Sequence, residues 1–336
     1  MRSKVTLEDV AQGAGVSRAT VSLVVRKSPL VAEKTRLKVE RVMADLDYVH
    51  DLGAARMRSK SSRTIGVVVP NLVNSFFTEF LSGVEQVMGE GDRVVLLANS
   101  HDDPLRQDEI LHRFRGHGVD GVILCPAQGT DPGLLDRLHH WDLPVVQSLR
   151  EIGENATDFA GGDYAEGVGL AVRHLVALGH RRVAFLSVTA RTSARKERLL
   201  GFTRALAQTD AEDGGIVEAE LSWEGAFQSA EKVLQLASRP TAVLCFNDVL
   251  AAGLMAGLRR AGRVPGQDIA VIGLDDLPLA QLTFPPLTSV AMWPDQIGAS
   301  AAGLLARRLA HPDVPVQRSI LVPALKIRES SGVQIN

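Results

Sequence analysis

The chain is poor in cysteine. Only Cys125 and Cys245 occur in 336 residues, each closing a strand-like apolar run, Gly-Val-Ile-Leu-Cys and Ala-Val-Leu-Cys. This pattern fits two buried thiols in similar half-domains, not a disulfide or a metal pair. No apolar run reaches the length of a membrane span, and the first residues lack the apolar core of a signal peptide, so the expectation is a cytoplasmic protein with no membrane partner. Also missing are a Gly-x-Gly-x-x-Gly turn after a strand, a phosphate loop, metal-spaced His/Cys clusters and a nucleophile elbow. Without these no enzyme, cofactor or metal is expected. The one dense polar knot, His101-Asp102-Asp103, reads as a loop entering a helix. The formal charge of −2 excludes no class of partner, because charge here is unevenly placed.

Residues 1–63 carry 13 Lys and Arg against 7 Asp and Glu, a net +6 that leaves −8 on the remainder. A basic head on an acidic body is the footprint of a chain that meets phosphate at one end. Within that head Leu7, Val10, Ala11 and Ala14 fall on one helical face, with Thr6 as N-cap and Asp9 at the third helical position. Gly15 supplies the positive φ of a tight turn, Val16 plugs the corner, and Ser17 caps a second helix with Val21, Val24 and Val25 inward. Arg18, Ala19, Ser22, Leu23 and Arg26 face outward. This is the layout of a helix-turn-helix, whose second helix reads base edges in the major groove; a small helical hairpin of another kind is the plainer alternative. A third helix near 33–46 places Leu37, Val39, Val42, Met43 and Leu46 to close a three-helix core, too small to be more than marginally stable alone.

From residue 64 onward short β-rich runs at 65–69, 94–98, 119–124 and 145–146 alternate with helical stretches, and the rhythm restarts after Gly161 with runs at 183–186, 215–220, 242–246 and 269–273. Such repetition predicts an α/β fold of two doubly wound parallel-sheet lobes. Ligands in open α/β sheets bind beyond the carboxyl ends of strands. Asn71, Asn74, Ser75, Phe76 and Phe77 follow the first run, Asp163 follows Gly161-Gly162, Asn247 and Asp248 follow Cys245, and Asp275 and Asp276 follow Ile272-Gly273-Leu274. Arg198 lies on the helix after the 183–186 run. Carboxylate, amide and guanidinium groups around aromatic faces suit a polyhydroxylated ligand. Each residue also has a plainer reading: Asn247 and Asp163 as helix caps, Asp275 and Asp276 as turn residues, Arg198 on the surface, Phe76 and Phe77 in the core.

Val5-Thr-Leu-Glu-Asp-Val-Ala, Gly15-Val-Ser-Arg-Ala-Thr-Val-Ser, Leu46-Asp-Tyr-Val, Arg63-Thr-Ile-Gly-Val-Val-Val-Pro, Asn74-Ser-Phe-Phe, His174-Leu-Val-Ala-Leu-Gly-His-Arg-Arg, Phe246-Asn-Asp and Pro285-Pro-Leu-Thr-Ser-Val occur in order. With these motifs the chain resembles the lac repressor (LacI/GalR) family of bacterial transcription regulators over nearly its whole length. The resemblance implies a helix-turn-helix domain at 1–50, a hinge helix or linker at 51–63, and a periplasmic-binding-protein-like core at 64–336. Lobe 1 of that core would take 64–162 and 291–321, lobe 2 163–290 and 322–336. Implied partners are double-stranded operator DNA, a small-molecule effector of sugar type between the lobes, and a second copy of the chain. With no apolar heptad tail, a homodimer is favoured over a tetramer.

By the same resemblance the hinge wedges an apolar side chain between base steps of the minor groove. That residue is Met57 here, with Ala54 beside it and Arg56 and Arg58 near phosphates. Leu23 stands where arginine is common and Arg26 where asparagine is common, so operator sequence does not carry over. Arg18, Ala19 and Leu23 are the specificity candidates; Thr6, Ser17, Thr20 and Ser22 serve phosphate contacts or caps. Met292-Trp293-Pro294 replaces a glutamine-containing turn, and Trp293 and Trp223 are candidates either for stacking on a sugar or for packing. An exported solute-binding protein would share the core but would carry an export signal and no basic helical head.

Overall fold

The computed structural model describes residues 5–26, 28–49 and 61–332, and the chain divides into two compact units, Met1–Ser62 and Arg63–Asn336. Hinge residues Ala54 and Met57 lie outside the described residues.

The first unit holds α1 (Leu7–Ala14), α2 (Arg18–Val25) and α3 (Glu33–Asp45). Thr6 Oγ1 accepts from the Asp9 N–H while the Asp9 carboxylate accepts from the Thr6 N–H at 2.7 Å, a reciprocal capping box that satisfies two helix-end donors. Gly15 ends α1 at φ 60°, ψ 40°, a left-handed conformation open to glycine at little steric cost. Val10, Ala11, Ala14, Val21, Val24, Val31 and Val39 form the buried core. Two residues expected there are not: Leu37 is 58% exposed and Leu46 stands at the surface. Val39 already fills the centre, and Leu37, two positions earlier on α3, projects from another face.

The second unit is built on two six-stranded sheets. Their elements are β1 (Thr64–Val69), α4 (Ser75–Glu90), β2 (Val94–Asn99), α5 (Pro104–His117), β3 (Gly121–Leu124), α6 (Gly133–His140), β4 (Val145–Ser148), β5 (Asp158–Gly162), α7 (Tyr164–Ala177), β6 (Arg182–Val188), α8 (Ser193–Ala207), β7 (Glu212–Ala219), α9 (Trp223–Leu234), β8 (Ala242–Cys245), α10 (Asp248–Arg260), β9 (Ala270–Asp275), α11 (Pro278–Leu282), β10 (Thr288–Ala291), α12 (Pro294–Ala310), β11 (Arg318–Leu321) and β12 (Ala324–Lys326). The sheets run β2-β1-β3-β4-β5-β11 and β7-β6-β8-β9-β10-β12, the same order twice. All pairings are parallel except β10 with β12, which is antiparallel. The chain passes between sheets after β5, between β10 and α12, and between β11 and β12.

Four strands, β5, β10, β11 and β12, were not legible as runs. β5 reads Asp-Phe-Ala-Gly-Gly, with no β-branched residue. It becomes a strand because β4 and β11 pair on either side and because buried Asp158 accepts from Arg308 Nε at 2.9 Å, Arg307 Nη2 at 3.3 Å and the Gln317 N–H at 2.7 Å. Helices α4 and α12 cross in backbone contact. A Cβ at Gly83 would lie 1.8 Å from the Asp295 carbonyl oxygen, and one at Gly298 1.9 Å from that of Phe80. The approach fixes α4, whose first turn carries Phe76 and Phe77.

Candidate functional site

In the first unit, Arg18, Ala19 and Arg26 are exposed along α2, with Ser22 half-buried beside them. Ser17 Oγ accepts from the Thr20 N–H at 3.1 Å, so its geometry is that of the N-cap. Arg26 folds back over the helix, donating from Nε to the Ser22 carbonyl and from Nη2 to Ser22 Oγ, both at 3.1 Å. Leu23 is half-buried and packs against the head's core. Ser17, Arg18, Ala19 and Arg26 are exposed on this face with Ser22 and Leu23 half-buried beside them, a cationic ridge on a short helix, which suits the edge of a DNA groove.

In the second unit a cavity of about 400 Å³ opens beyond the carboxyl ends of both sheets, at the point where strand order reverses in each. Residues at or just past the ends of β1, β2, β3 and β4 make one wall: Pro70, Asn71, Val73, Asn74, Phe76 and Phe77, then Asn99, His101, Asp102, Cys125, Leu149 and Arg150. Tyr164, Ala194, Arg198, Leu221, Phe246, Asn247 and Asp275 make the other. Phe76 and Phe77 meet edge to face, centroids 5.8 Å apart.

Arg198 is the best-held group of the second wall. Its guanidinium carbon lies 3.8 Å from the centroid of Tyr164 and 4.2 Å from that of Phe246, between two π faces. Nε donates to the Phe246 carbonyl and Nη1 to the Ala194 carbonyl, both at 3.1 Å. Asn247 caps α10 by accepting from the Leu250 N–H at 3.0 Å, and its NH₂ group has no hydrogen-bond partner among the described residues. Asp275 ends β9 at φ 115°, a conformation L-residues rarely adopt, and its buried Oδ1 has no hydrogen-bond partner among the described residues. Burial pushes its carboxyl up to about 7, opposed by the positive charge of Arg198 and reinforced by the negative charge of Glu79. Behind it Asp248 accepts from the Leu277 N–H at 2.8 Å and from Ser289 Oγ, and burial with the neighbouring Asp275 charge raises it far above the usual carboxylate range. Burial likewise pushes the Cys125 thiol up to about 12, so this cysteine lines the cavity as an inert neutral group.

Of the eight ligand candidates, the fold brings Phe76, Phe77, Arg198, Asn247 and Asp275 together in the cavity and leaves three out. Asp163 is exposed, accepts from the Glu166 N–H at 2.9 Å as the cap of α7, and borders a separate groove between α7 and α8. Trp223 is 55% exposed at the start of α9, edge to face with Phe227. Trp293 spans two of the passages between sheets: its indole N–H donates to the Val322 carbonyl at 3.0 Å and Lys326 lies over its ring. Neither tryptophan lines the cavity: Trp223 is turned to solvent and Trp293 is pinned by these contacts. Conversely Tyr164, Asp102 and Arg150 belong to the cavity and were not singled out for it. Arg150 follows a strand end, the very signal used elsewhere, whereas Tyr164 enters from the helix after β5, a strand the residue pattern hid.

Residues 6–51 match the pattern of bacterial regulatory proteins of the lacI family, and residues 172–331 that of a periplasmic binding protein-like domain. The HTH-type transcriptional repressor PurR of Vibrio atlanticus (strain LGP32) is 34% identical over 313 residues, covering 92% of this chain and 93% of its own. The lac repressor dimer bound to operator and the anti-inducer ONPF superposes with TM-score 0.88 at 26% identity, over 98% of this chain and 100% of that one. The transcriptional regulator CelR in complex with cellobiose gives 0.74 at 28% identity, over 97% and 100%. With a DNA-reading head and a ligand cavity of this kind, and relatives matched along nearly its full length, the chain belongs to the lacI family of bacterial regulatory proteins and is a DNA-binding transcriptional repressor, not an enzyme.

Proposed function

We propose that a small ligand in the cavity of the second unit controls the affinity of the helix-turn-helix head for a palindromic operator, that the ligand is a sugar or related polyol, and that the protein works as a homodimer. The domain division that goes with this reading is 1–50 for the head, 51–63 for the hinge with Ala54 and Met57 in the minor groove, and 64–336 for a core of two lobes. The observation that carries it is the grouping of Arg198, Asn247 and Asp275 at the strand ends of one wall, each with polar capacity left over. A guanidinium forks onto adjacent hydroxyls and a carboxylate bridges two, the pattern polyols need. Cellobiose bound to the structurally similar CelR supports the ligand class.

A ligand shifts such a regulator only by its differential affinity for the operator-competent and operator-incompetent states. The test is selection of random palindromic duplexes by the purified protein, then a sugar panel added to the selected complex. Enrichment of one palindrome and its release by one sugar is the expected result; sugars without effect on the complex would sink the ligand class. A second reading, a non-sugar co-repressor, is favoured by Asp275. With its carboxyl near neutrality, it donates as well as accepts and matches the amide edge of a heterocycle. Tighter operator binding on adding a nucleobase, with sugars silent, would select this reading.

A further inference from the structure

The wall beyond β1–β4 carries a second guanidinium that a polyol does not require. Arg150 lies two residues past β4 with its side chain 13% exposed. Its Nη1 donates to Asp102 Oδ1 at 2.5 Å and to the Pro126 carbonyl at 3.3 Å, while Nε and Nη2 have no hydrogen-bond partner among the described residues. Asp102 is itself held, accepting from the Gln128 N–H at 2.9 Å.

The rest of the lining is just as rich in donors. Asn71, Asn74, Asn99 and Asn247 each commit the side-chain oxygen to a backbone N–H, of Val73, Phe76, His101 and Leu250 respectively. What each has left is its NH₂ group and the second lone pair of that oxygen. Arg198 Nη2 and the Tyr164 hydroxyl also have no partner among the described residues. Against them the side-chain acceptors left over are fewer: the Asp275 carboxyl, Asp102 Oδ2, the His101 ring and the Tyr164 oxygen. A neutral polyol brings a proton with every hydroxyl, and each proton needs an acceptor. Donors outnumber these acceptors, and an oxyanion takes up donors and demands none in return.

We propose that the effector is an acid whose oxyanion, a carboxylate or a phosphate, docks on the free edge of Arg150, with its hydroxyl-bearing part toward Arg198, Asn247 and Asp275. This rests on the effector reading above and narrows the ligand class within it. Charge agrees: the two guanidiniums face Asp102 and an Asp275 held near neutrality by burial, so the cavity carries a positive balance that one anion offsets.

The test is calorimetric titration of the full-length protein with D-gluconate, D-glucuronate and D-ribose 5-phosphate beside neutral D-glucose and D-ribose. At least one acid is expected to bind 30-fold tighter than its neutral parent, and whether it is a carboxylate or the phosphate identifies the group. Arg150→Gln is expected to weaken that acid at least 30-fold and the neutral sugar less than threefold. Because Arg150→Gln strands a half-buried Asp102 and can unfold the wall, the paired variant Asp102→Asn/Arg150→Gln, which removes both charges, is measured with it. Neutral sugars binding as tightly as acids, or acid binding retained in both variants, overturns the oxyanion and leaves the effector cavity standing. Silence from every acid and every neutral sugar overturns the oxyanion and the sugar or polyol class together.

Discussion

Asp275 combines backbone strain with a buried, half-titrated carboxyl, and both sit on the cavity wall. Strain of this kind costs of order 1–3 kcal/mol and persists where the surroundings over-determine it. Its pKa of about 7 in the folded protein lies above the ordinary 3.8, so folding binds a proton between those values. The stability this group contributes is fully present below about pH 4 and is lost as pH rises through 7. Asp275→Asn, which cannot ionise, should therefore be more stable than the parent at pH 8 by ~1–3 kcal/mol and no more stable at pH 4; urea denaturation at the two pH values checks it. Arg198→Lys is the complementary case. Lysine keeps the charge but loses the planar stack between Tyr164 and Phe246 and the fork onto two carbonyls, and the affinity of whichever probe the parent binds should fall at least tenfold in titration calorimetry.

Helices α4 and α12 show how an element positions a site it mostly does not touch. Their approach at Gly83 and Gly298 has room for no side chain. Gly298→Ala should cost more than ~2 kcal/mol through overpacking, read as a lower thermal midpoint of the second unit, and should weaken ligand binding by displacing Phe76 and Phe77 on the first turn of α4. In the head the equivalent element is the capping box of α1. Thr6→Ala removes it at a cost of about 1 kcal/mol. In so small a core that loss should appear as faster amide exchange through α1 and as weaker operator binding.

For the whole molecule, charge separation decides behaviour on DNA. A head of +6 attached to a body of −8 confines phosphate attraction to one end, and counterion release makes that attraction steeply salt-dependent. Operator affinity should drop at least a hundredfold between 50 and 200 mM salt, of the order seen when several phosphates per complex are neutralised; fluorescence anisotropy across that range tests it. A slope near zero would mean that the basic head does not engage the phosphates.

The head's three helices, the repeated βα rhythm and the five of eight ligand candidates that share the cavity could be read from the chain because each rests on local chemistry: a cap, a turn glycine, an apolar period, a polar residue just past a buried strand. Thr6, Gly15 and Ser17 do in the structure what their types do in short peptides. What lay beyond reading depends on partners distant in sequence. β5 is a strand because β4 and β11 flank it and Arg307 and Arg308 neutralise Asp158 from about 150 residues away. Leu37 has the right type for a core but the wrong side of its helix. Trp223 and Trp293 have the right type for a sugar platform, yet tertiary packing points one to solvent and pins the other across two passages between sheets. Arg150 and Tyr164 enter the cavity because two sheets with the same strand order bring their switch points face to face. Residue type and period, which are local, were settled by the chain alone; which side chains share a cavity was decided by the pairing of the sheets, because proximity there is made by contacts across the fold.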